Sequence, residues 1–170
     1  MKRRILAVMI AACTMMSLMA CGSENKVVSG TVEFDLPEGF VESGSEGMWV
    51  TDTYPIDTSN IIYIAADDDP VGIDFTSKFY EQSIEAQYTE AGYDVDVTVD
   101  SFDKVKVDGY KAVKIVSTSI LSGKEINQIQ YSVQIGKTTA TITFTQSGDE
   151  WTEEFEACAK TMKVIPEYAE

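Results

Sequence analysis

The chain contains no histidine among its 170 residues. Histidine is the commonest general base, the usual partner of a nucleophilic serine or cysteine, and the commonest zinc ligand. Its absence excludes those catalytic pairs and histidine-based metal sites. Carboxylates, lysine or tyrosine would have to carry any catalysis, and none of them stands at a diagnostic spacing. We therefore predict no catalytic residue, no metal site and no cofactor.

Positive charge is also scarce, with 13 Lys or Arg against 28 Asp or Glu. Three of the cations are Lys2, Arg3 and Arg4, which have no acid near them. Loss of residues 1–20 would remove these three cations and no acid, taking the formal charge from −15 to −18. Affinity for nucleic acids and anionic lipids comes mainly from Lys and Arg. The composition therefore argues against a nucleic-acid partner and against attraction of the domain to anionic lipid surfaces.

Cysteine occurs three times, as Cys13, Cys21 and Cys158. If Cys13 is removed with a signal and Cys21 is modified, one thiol remains and no internal disulfide can form. Cys158 falls on the apolar stripe of a predicted helix and has no histidine to activate it. Such a cysteine is usually an inert small hydrophobe.

Long apolar runs are limited to the N-terminus. Met1-Lys2-Arg3-Arg4 is followed by the uncharged stretch 5–16 and then by Leu18-Met19-Ala20-Cys21. The run from Ile5 to Ala20 is shorter than the ~20 residues that span a bilayer. This order of a basic segment, a short apolar segment and a small residue is typical of an export signal.

The tetrapeptide Leu18-Met19-Ala20-Cys21, placed after such a run, resembles the lipobox of bacterial lipoproteins. The resemblance implies cleavage between Ala20 and Cys21 and acylation of Cys21, with the membrane as a partner through this lipid. It places the chain on the extracytoplasmic side of the cell membrane. The alternative is an ordinary secretory signal followed by a chance cysteine. We expect residues 1–20 to be the signal, 21–29 a lipidated tether, 30–165 one domain and 166–170 a tail.

From residue 30 onward, alternating apolar residues predict strands. They include Val32 and Phe34, then 48–50 and 61–64. Residues 74–91 instead show helical periodicity, with Asp74 as the expected N-cap and Gly92 as the C-terminal stop.

Four further strands are predicted between residues 105 and 145, joined by short turns. Asp108-Gly109, Ser122-Gly123 and Gly136-Lys137 supply the positive φ angles that tight hairpins require. The strands should therefore pair antiparallel as a meander. A second helix follows, for which Ser147 and Glu150 fit the spacing of a capping box. Its stripe contains Trp151, Phe155, Cys158 and Met162.

The last two strands predict a sheet with one buried and one polar face. We call the second surface the polar face; it consists of Gln128, Gln130, Ser132, Gln134, Thr139, Thr141 and Thr143. Its amides and hydroxyls are the candidate recognition site for an unknown protein or glycan of the envelope. Ordinary exposure to solvent would explain the same pattern.

Acidic clusters are the remaining candidates for a site. Asp67-Asp68-Asp69, together with Asp94, Asp96, Asp100 and Asp103, offers oxygen atoms of the kind that bind Ca²⁺. The segment from Asp94 lacks the glycine and the terminal glutamate of an EF-hand loop. Three adjacent acids also cannot all point inward, so a solvated turn is the better interpretation of these residues.

The order of elements resembles the Mog1/PsbP-like domains found in small bacterial lipoproteins. The residues that carry this resemblance are Phe34-x-Leu36-Pro37-x-Gly39-Phe40, a long helix, Gly109-x-x-Ala112, a hairpin and a final helix. It implies an α+β fold with a central antiparallel β-sheet of about six to seven strands and two main helices. It transfers no activity.

Three functional hypotheses remain from the sequence. The first is a non-catalytic, membrane-tethered binding or assembly module. The second is an envelope enzyme that uses carboxylates, and the third is a structural or stress-related envelope lipoprotein. A deep cleft with paired acids would favour the second.

Overall fold

A computed structural model of the chain describes residues 26–67, 76–165 and 167. Ten strands and two helices lie in these ranges. The strands are β1 (Lys26–Ser29), β2 (Val32–Asp35), β3 (Phe40–Glu42), β4 (Met48–Thr51), β5 (Asn60–Asp67), β6 (Val95–Val107), β7 (Tyr110–Leu121), β8 (Lys124–Ile135), β9 (Thr138–Gln146) and β10 (Lys163–Val164). The helices are α1 (Ser77–Glu90) and α2 (Thr152–Thr161).

Seven of the strands form one antiparallel sheet in the order β3-β4-β5-β9-β8-β7-β6. The predicted meander is β6 to β9, and all three predicted turns join neighbouring strands. Asp108 and Gly109 have φ values of 50° and 86°, and Ser122 and Gly123 have 52° and 77°. These left-handed pairs match the twist of the flanking strands, so the hairpins are set by local chemistry.

A smaller sheet has the order β1-β2-β10 and packs on one face of the large one. It was not predicted. Lys26–Ser29 was assigned to the tether, whereas the structure pairs it with β2, so the domain begins four residues before the expected boundary at 30. The signal was weak because β1 is short, lies at an edge and leaves Val28 65 % exposed. Gly30, with φ 54°, opens the two-residue turn into β2.

Helix α1 begins later than expected. Its N-cap is Thr76, whose hydroxyl accepts the Phe79 N–H at 3.3 Å. The predicted N-cap, Asp74, lies outside the described residues, but it cannot cap a helix whose cap is Thr76. The predicted stop at Gly92 is confirmed, because its φ of 85° takes the chain out of the helix.

Helix α2 does not use the predicted capping box of Ser147 and Glu150. It begins at Thr152, and Trp151 at the N-cap position makes no side-chain cap. The buried side chain of Gln146 replaces it, since its Oε1 accepts the Trp151 N–H and its Nε2 donates to Thr152 Oγ1, both at 2.7 Å. A residue of β9 therefore holds the start of the helix.

The hydrophobic core lies between the large sheet on one side and α2 with the small sheet on the other. Phe34 of β2 meets Trp49 of β4 edge to face, with ring centroids 5.2 Å apart. Phe144 of β9 packs against Phe155 of α2 at 5.1 Å. Helix α1 lies on the opposite face and packs chiefly against β6. The predicted fold class, α+β with an antiparallel sheet and two helices, is confirmed.

Candidate functional site

The residues of the polar face lie on β8 and β9 and share the face of the sheet that carries α1. The register of β8 and β9 shows that these side chains are on the same face, because they lie directly opposite one another. The pairs are Gln130 with Thr143, Ser132 with Thr141, and Gln134 with Thr139. Ser132 and Thr139 are buried at 1 % and 3 % exposure, and the other five residues are half-buried. The polar face is therefore contiguous and less open to water than a solvated sheet surface.

Hydrogen bonds between side chains connect much of the polar face. Gln130 Nε2 donates to Ser132 Oγ at 3.2 Å, and Ser132 Oγ lies 3.2 Å from Thr141 Oγ1. Thr139 Oγ1 donates to Gln134 Oε1 at 3.3 Å. These contacts satisfy buried polar atoms and order the side chains, so any ligand would meet a preorganised surface.

Helix α1 joins this network through Tyr80. The Tyr80 hydroxyl donates to Gln130 Oε1 at 3.1 Å. Burial raises the pKa of Tyr80 to about 12, although the Ser117 hydroxyl opposes the shift. Glu81 Oε1 on the same helix accepts the Val99 N–H at 3.0 Å, next to a bulge in β6. These two contacts hold α1 over strands β6 to β8. Thr141 and Thr143 lie on β9, the next strand after β8 in the sheet.

Asn60 extends the same face onto β5, where it lies opposite Thr145. Its Nδ2 donates to the Thr58 carbonyl at 3.0 Å, while its buried Oδ1 has no partner within the described ranges. An unsatisfied buried acceptor costs about 1–3 kcal/mol. This oxygen is an acceptor that a donor from water or from a partner would satisfy, and sequence spacing did not single it out.

An open groove of about 560 Å³ lies where β5 meets the turn between β1 and β2. Tyr63 lines the groove, and its hydroxyl accepts the Thr31 N–H at 3.0 Å. At Gly30, an added Cβ would lie 2.6 Å from that hydroxyl, so only glycine fits. Glu46 and Asp67 line the groove, and Asp67 Oδ1 accepts the Thr138 hydroxyl at 2.6 Å.

A second open concavity, of about 340 Å³, lies at the other end of the sheet. Asp94 and Asp96 line it beside the exposed side chains of Tyr93 and Ile120. Neither concavity is the deep cleft that the enzyme hypothesis requires.

The acids proposed as Ca²⁺ ligands that lie in the described residues do not converge. Asp68 and Asp69 lie outside those residues, Asp67 ends β5, and Asp94 precedes β6. The other three, Asp96, Asp100 and Asp103, are spread along β6. Within residues 26–67, 76–165 and 167, no group of three or more Cys, Asp or Glu side chains is placed to hold a metal ion.

Cys158 is buried on α2 within the hydrophobic core. Burial raises the pKa of its thiol to about 12, and the negative charge of Asp35 adds to the shift. The thiol is therefore protonated at neutral pH. It is a packing residue with little nucleophilic character.

One contact that the sequence did not reveal joins the loop after β4 to α2. Asp57 Oδ2 accepts the Trp151 indole N–H at 2.9 Å, and Oδ1 accepts the Ser59 N–H at 2.8 Å. Partial burial acts to raise the pKa of Asp57, but the hydrogen bonds from Ser59 and Trp151 and the charge of Lys124 outweigh it and lower the pKa. The partners are 94 residues apart, so no local pattern could indicate the pair.

A second such contact fixes α2 to the sheet. Lys114 on β7 forms an ion pair with Glu156 on α2, and the Tyr131 hydroxyl donates to the other oxygen of Glu156 at 3.4 Å. Partial burial acts to lower the pKa of Lys114, but its bond to Glu156 outweighs this and raises it. Neither of the two concavities described above is lined by these residues.

The residues predicted to carry the anchor, Ala20 and Cys21, lie outside the described residues, as does most of the tail from 166 to 170. Neither helix of the described part has the length and apolar character of a transmembrane segment.

Comparison with known proteins gives matches at the level of structure. No protein-family model and no curated protein sequence matches the chain. Among solved structures, cyanobacterial PsbP (CyanoP) from Synechocystis sp. PCC 6803 is similar with a TM-score of 0.62 and 14% identity, over 87% of this chain and 99% of that one.

Two other similar structures come from distant organisms. LpqN, described as involved in cell envelope biogenesis of Mycobacterium tuberculosis, has a TM-score of 0.53 and 16% identity, over 80% of this chain and 84% of that one. The Ran-binding protein Mog1p of Saccharomyces cerevisiae has a TM-score of 0.53 and 11% identity, over 83% and 96%. Identities this low establish the fold alone. The chain therefore has the fold that cyanobacterial PsbP, LpqN and Mog1p share.

Proposed function

We propose that the chain is a bacterial lipoprotein, held through acylated Cys21 on the extracytoplasmic side of the cell membrane. Its domain is a non-catalytic module that binds or assembles with a protein partner of the envelope. The observation that carries the binding role is the ordered polar face, which α1 contacts at Gln130 and which continues onto β9 at Thr141 and Thr143.

The first 21 residues support the anchor. A basic start, a short apolar run and Leu18-Met19-Ala20-Cys21 occur in the order that lipoprotein processing requires. Two long acyl chains, at ~0.8 kcal/mol for each buried methylene, give attachment that is effectively permanent. The likeness to LpqN, which takes part in cell envelope biogenesis, agrees with this location.

The described residues support binding over catalysis. Two of the buried or partly buried ionisable groups have structural contacts. Cys158 packs in the hydrophobic core, and Lys114 forms an ion pair with Glu156. The polar face instead offers amides and hydroxyls near Thr141 and Thr143, held in place by the bonds among their neighbours. Mog1p, of the same fold, is a Ran-binding protein, so this architecture supports recognition of a protein surface.

Metabolic labelling with an alkyne fatty acid tests the anchor. The full chain, produced in a bacterium, should carry the label, and Cys21→Ala should abolish it because no thioether can form. Cys158→Ala is the matched control and should stay labelled. Label that persists in Cys21→Ala would show that the acyl group is elsewhere or absent from this residue.

Photo-crosslinking in intact cells tests the polar face. A photoreactive amino acid at Thr143 should give an adduct of defined mass, whose protein is identified by mass spectrometry and confirmed by a reciprocal crosslink. The same amino acid at Thr98, an exposed threonine on β6, is the control. An adduct with a glycan would change the class of partner.

Substitution measures the same contact. Thr143→Arg should lower co-isolation of the crosslinked partner by about tenfold, which corresponds to a loss of ~1.4 kcal/mol in binding free energy. The charged side chain would disrupt the packed centre of the interface. Thr98→Arg should leave it unchanged. Equal capture by both variants would remove the polar face as the binding surface.

A further inference from the structure

Three lysines lie together on the hairpin formed by β6 and β7. Lys106 is directly opposite Lys111, and Lys104 lies two residues before Lys106 on the same side. All three side chains are exposed. We call these three residues the lysine patch. It lies on the same face of the sheet as α1, at the end that carries the Asp108-Gly109 turn.

The arrangement has a cost for the folded domain. Like charges directly opposite on neighbouring strands destabilise the pair. Lysines on an edge strand protect it against pairing with other chains, which accounts for Lys104 and Lys106 on β6. Lys111 lies on β7, between two other strands, and edge protection does not explain it.

No acid forms an ion pair with the patch within the described part of the chain. The two ion pairs there are Lys26–Glu33 and Lys114–Glu156. Asp103 points to the opposite face of the sheet, since its cross-strand neighbour is Lys114. The Asp108 carboxylate accepts the Val164 N–H at 3.0 Å.

Within the described residues, two sets of acids lie well away from this hairpin end. Asp67 on β5 is three strands from β7, or about 14 Å. Those near Ser122-Gly123 are at the far end of strands about 40 Å long. At physiological salt the Debye length is about 8 Å, so charges at these distances are largely screened from a surface that touches the patch. Net charge therefore understates the local attraction for anions.

The chain before the domain is long enough to reach the level of the same end. Lys26 is opposite Asp35, three residues or about 10 Å along β2 from Val32. Val32 is opposite Val164, whose N–H binds Asp108 in the hairpin turn. Four residues separate Cys21 from Lys26, so the five steps between them span at most about 17 Å. A bilayer that holds Cys21 is within reach of the level of this turn.

We infer that the lysine patch docks on anionic phospholipid headgroups of the membrane that anchors the chain. The inference rests on the proposed acylation of Cys21. It gives the domain one orientation, with the Asp108-Gly109 turn toward the bilayer and the Ser122-Gly123 turn away from it. The polar face then stands beside the membrane, open to a partner.

Amine footprinting of the acylated full-length product, isolated from bacterial membranes, tests the orientation. The protein is reconstituted into vesicles of phosphatidylcholine alone or with about one third phosphatidylglycerol, and treated with a membrane-impermeant amine-reactive ester. Labelling of Lys104, Lys106 and Lys111 should fall about fivefold in the anionic vesicles. Lys124, exposed at the opposite end, is the control and should react equally in both.

Salt and a variant sharpen the test. At about 1 M salt the Debye length is about 3 Å, and the protection should disappear. In the double variant Lys106→Gln, Lys111→Gln, protection of Lys104 should also be lost. Equal labelling of the patch in both vesicles by an acylated protein would overturn the orientation alone. Absence of the acyl group from Cys21 would overturn the anchor and the orientation with it.

Discussion

The two faces of the seven-stranded sheet are built from different chemistry. On one face, Phe144 and Tyr131 pack against α2 and the small sheet in a hydrophobic core. On the other, Gln130 and Ser132 form a hydrogen-bonded network that Tyr80 joins from α1. No residue of α1 is buried, whereas Phe155, Cys158 and Ala159 of α2 are.

The core face stabilises the fold, whereas the polar face is the surface proposed for recognition. Burial of apolar area on the core face supplies most of the folding free energy, because each buried large side chain contributes about 1.5–3 kcal/mol. The network on the polar face contributes less for each contact, since folding exchanges hydrogen bonds with water for bonds within the protein. If the polar face binds a partner as proposed, substitutions there should change binding while the fold remains intact.

The largest effect should come from Phe155→Ala on the core face. It would remove a side chain that packs on Phe40 and Phe144 and leave a cavity, at a cost of about 3–5 kcal/mol. Urea unfolding measures the change. Ile56→Ala is the control at 92 % exposure and should change stability by less than about 0.5 kcal/mol. A loss below about 1 kcal/mol for Phe155→Ala would contradict a tightly packed core face.

A smaller loss is expected from Asp57→Asn, which weakens the bond to Trp151 at the edge of the core. A hydrogen bond to a charged group contributes about 1.5–3 kcal/mol. Because the folded pKa is lowered, this stability is present above the unfolded value of about 3.9 and is lost as the pH falls through the folded pKa. The wild type and Asp57→Asn should therefore differ near pH 7 and converge in acid.

Asp52→Asn, an exposed neighbour in the same loop, is the control and should match the wild type within about 0.5 kcal/mol at both pH values. A constant difference between the wild type and Asp57→Asn from neutral to acid pH would mean that the carboxylate charge is not involved.

On the polar face, Tyr80→Phe should cost about 1 kcal/mol, because Gln130 Oε1 loses its donor. Amide hydrogen exchange should become faster in α1 while exchange in β8 and β9 stays slow. Tyr88→Phe, on the same helical stripe, is the control, since the described residues provide no hydrogen bond for its hydroxyl. A loss as large as that of Phe155→Ala would erase the contrast between the two faces.

The smallest effect, and one of opposite sign, should come from Lys106→Gln. Removing one of two opposed charges should raise stability by about 0.2–1 kcal/mol. A double-mutant cycle with Lys111→Gln isolates the repulsion, which should fade at high salt. A repulsion of zero at low salt would show that the two ammonium groups avoid one another.

Features determined by neighbouring residues were predictable. Asp108-Gly109 and Ser122-Gly123 each place two residues at positive φ, and such turns leave little choice for the strands on either side. Gly92 ended α1 for the same reason. The alternation that defined the polar face was also local, and the structure places all seven residues on one surface. Their role in recognition stays a prediction.

Features determined by distant residues were not predictable. Pairing of β5 with β9 joins segments about eighty residues apart, with nothing in either strand to specify the other. The capping box at Ser147 had the right spacing, yet the side chain of Gln146 from β9 makes the hydrogen bonds at the start of the helix. Helix α1 showed a similar competition, in which Thr76 held the cap in place of Asp74. Local patterns identify candidates for such positions, and tertiary contacts select among them.

The attachment of β1 at the edge of the small sheet has a mechanical consequence. Any load applied through the residues before Lys26 reaches β1 first, where four residue pairs with β2 resist it. Val28 points to solvent, whereas Val27 packs against the core, so peeling this strand would expose one partly buried apolar side chain. Four residues would extend by about 13 Å while the large sheet stayed closed. Under such a load, β1 should therefore detach before the hydrophobic core opens.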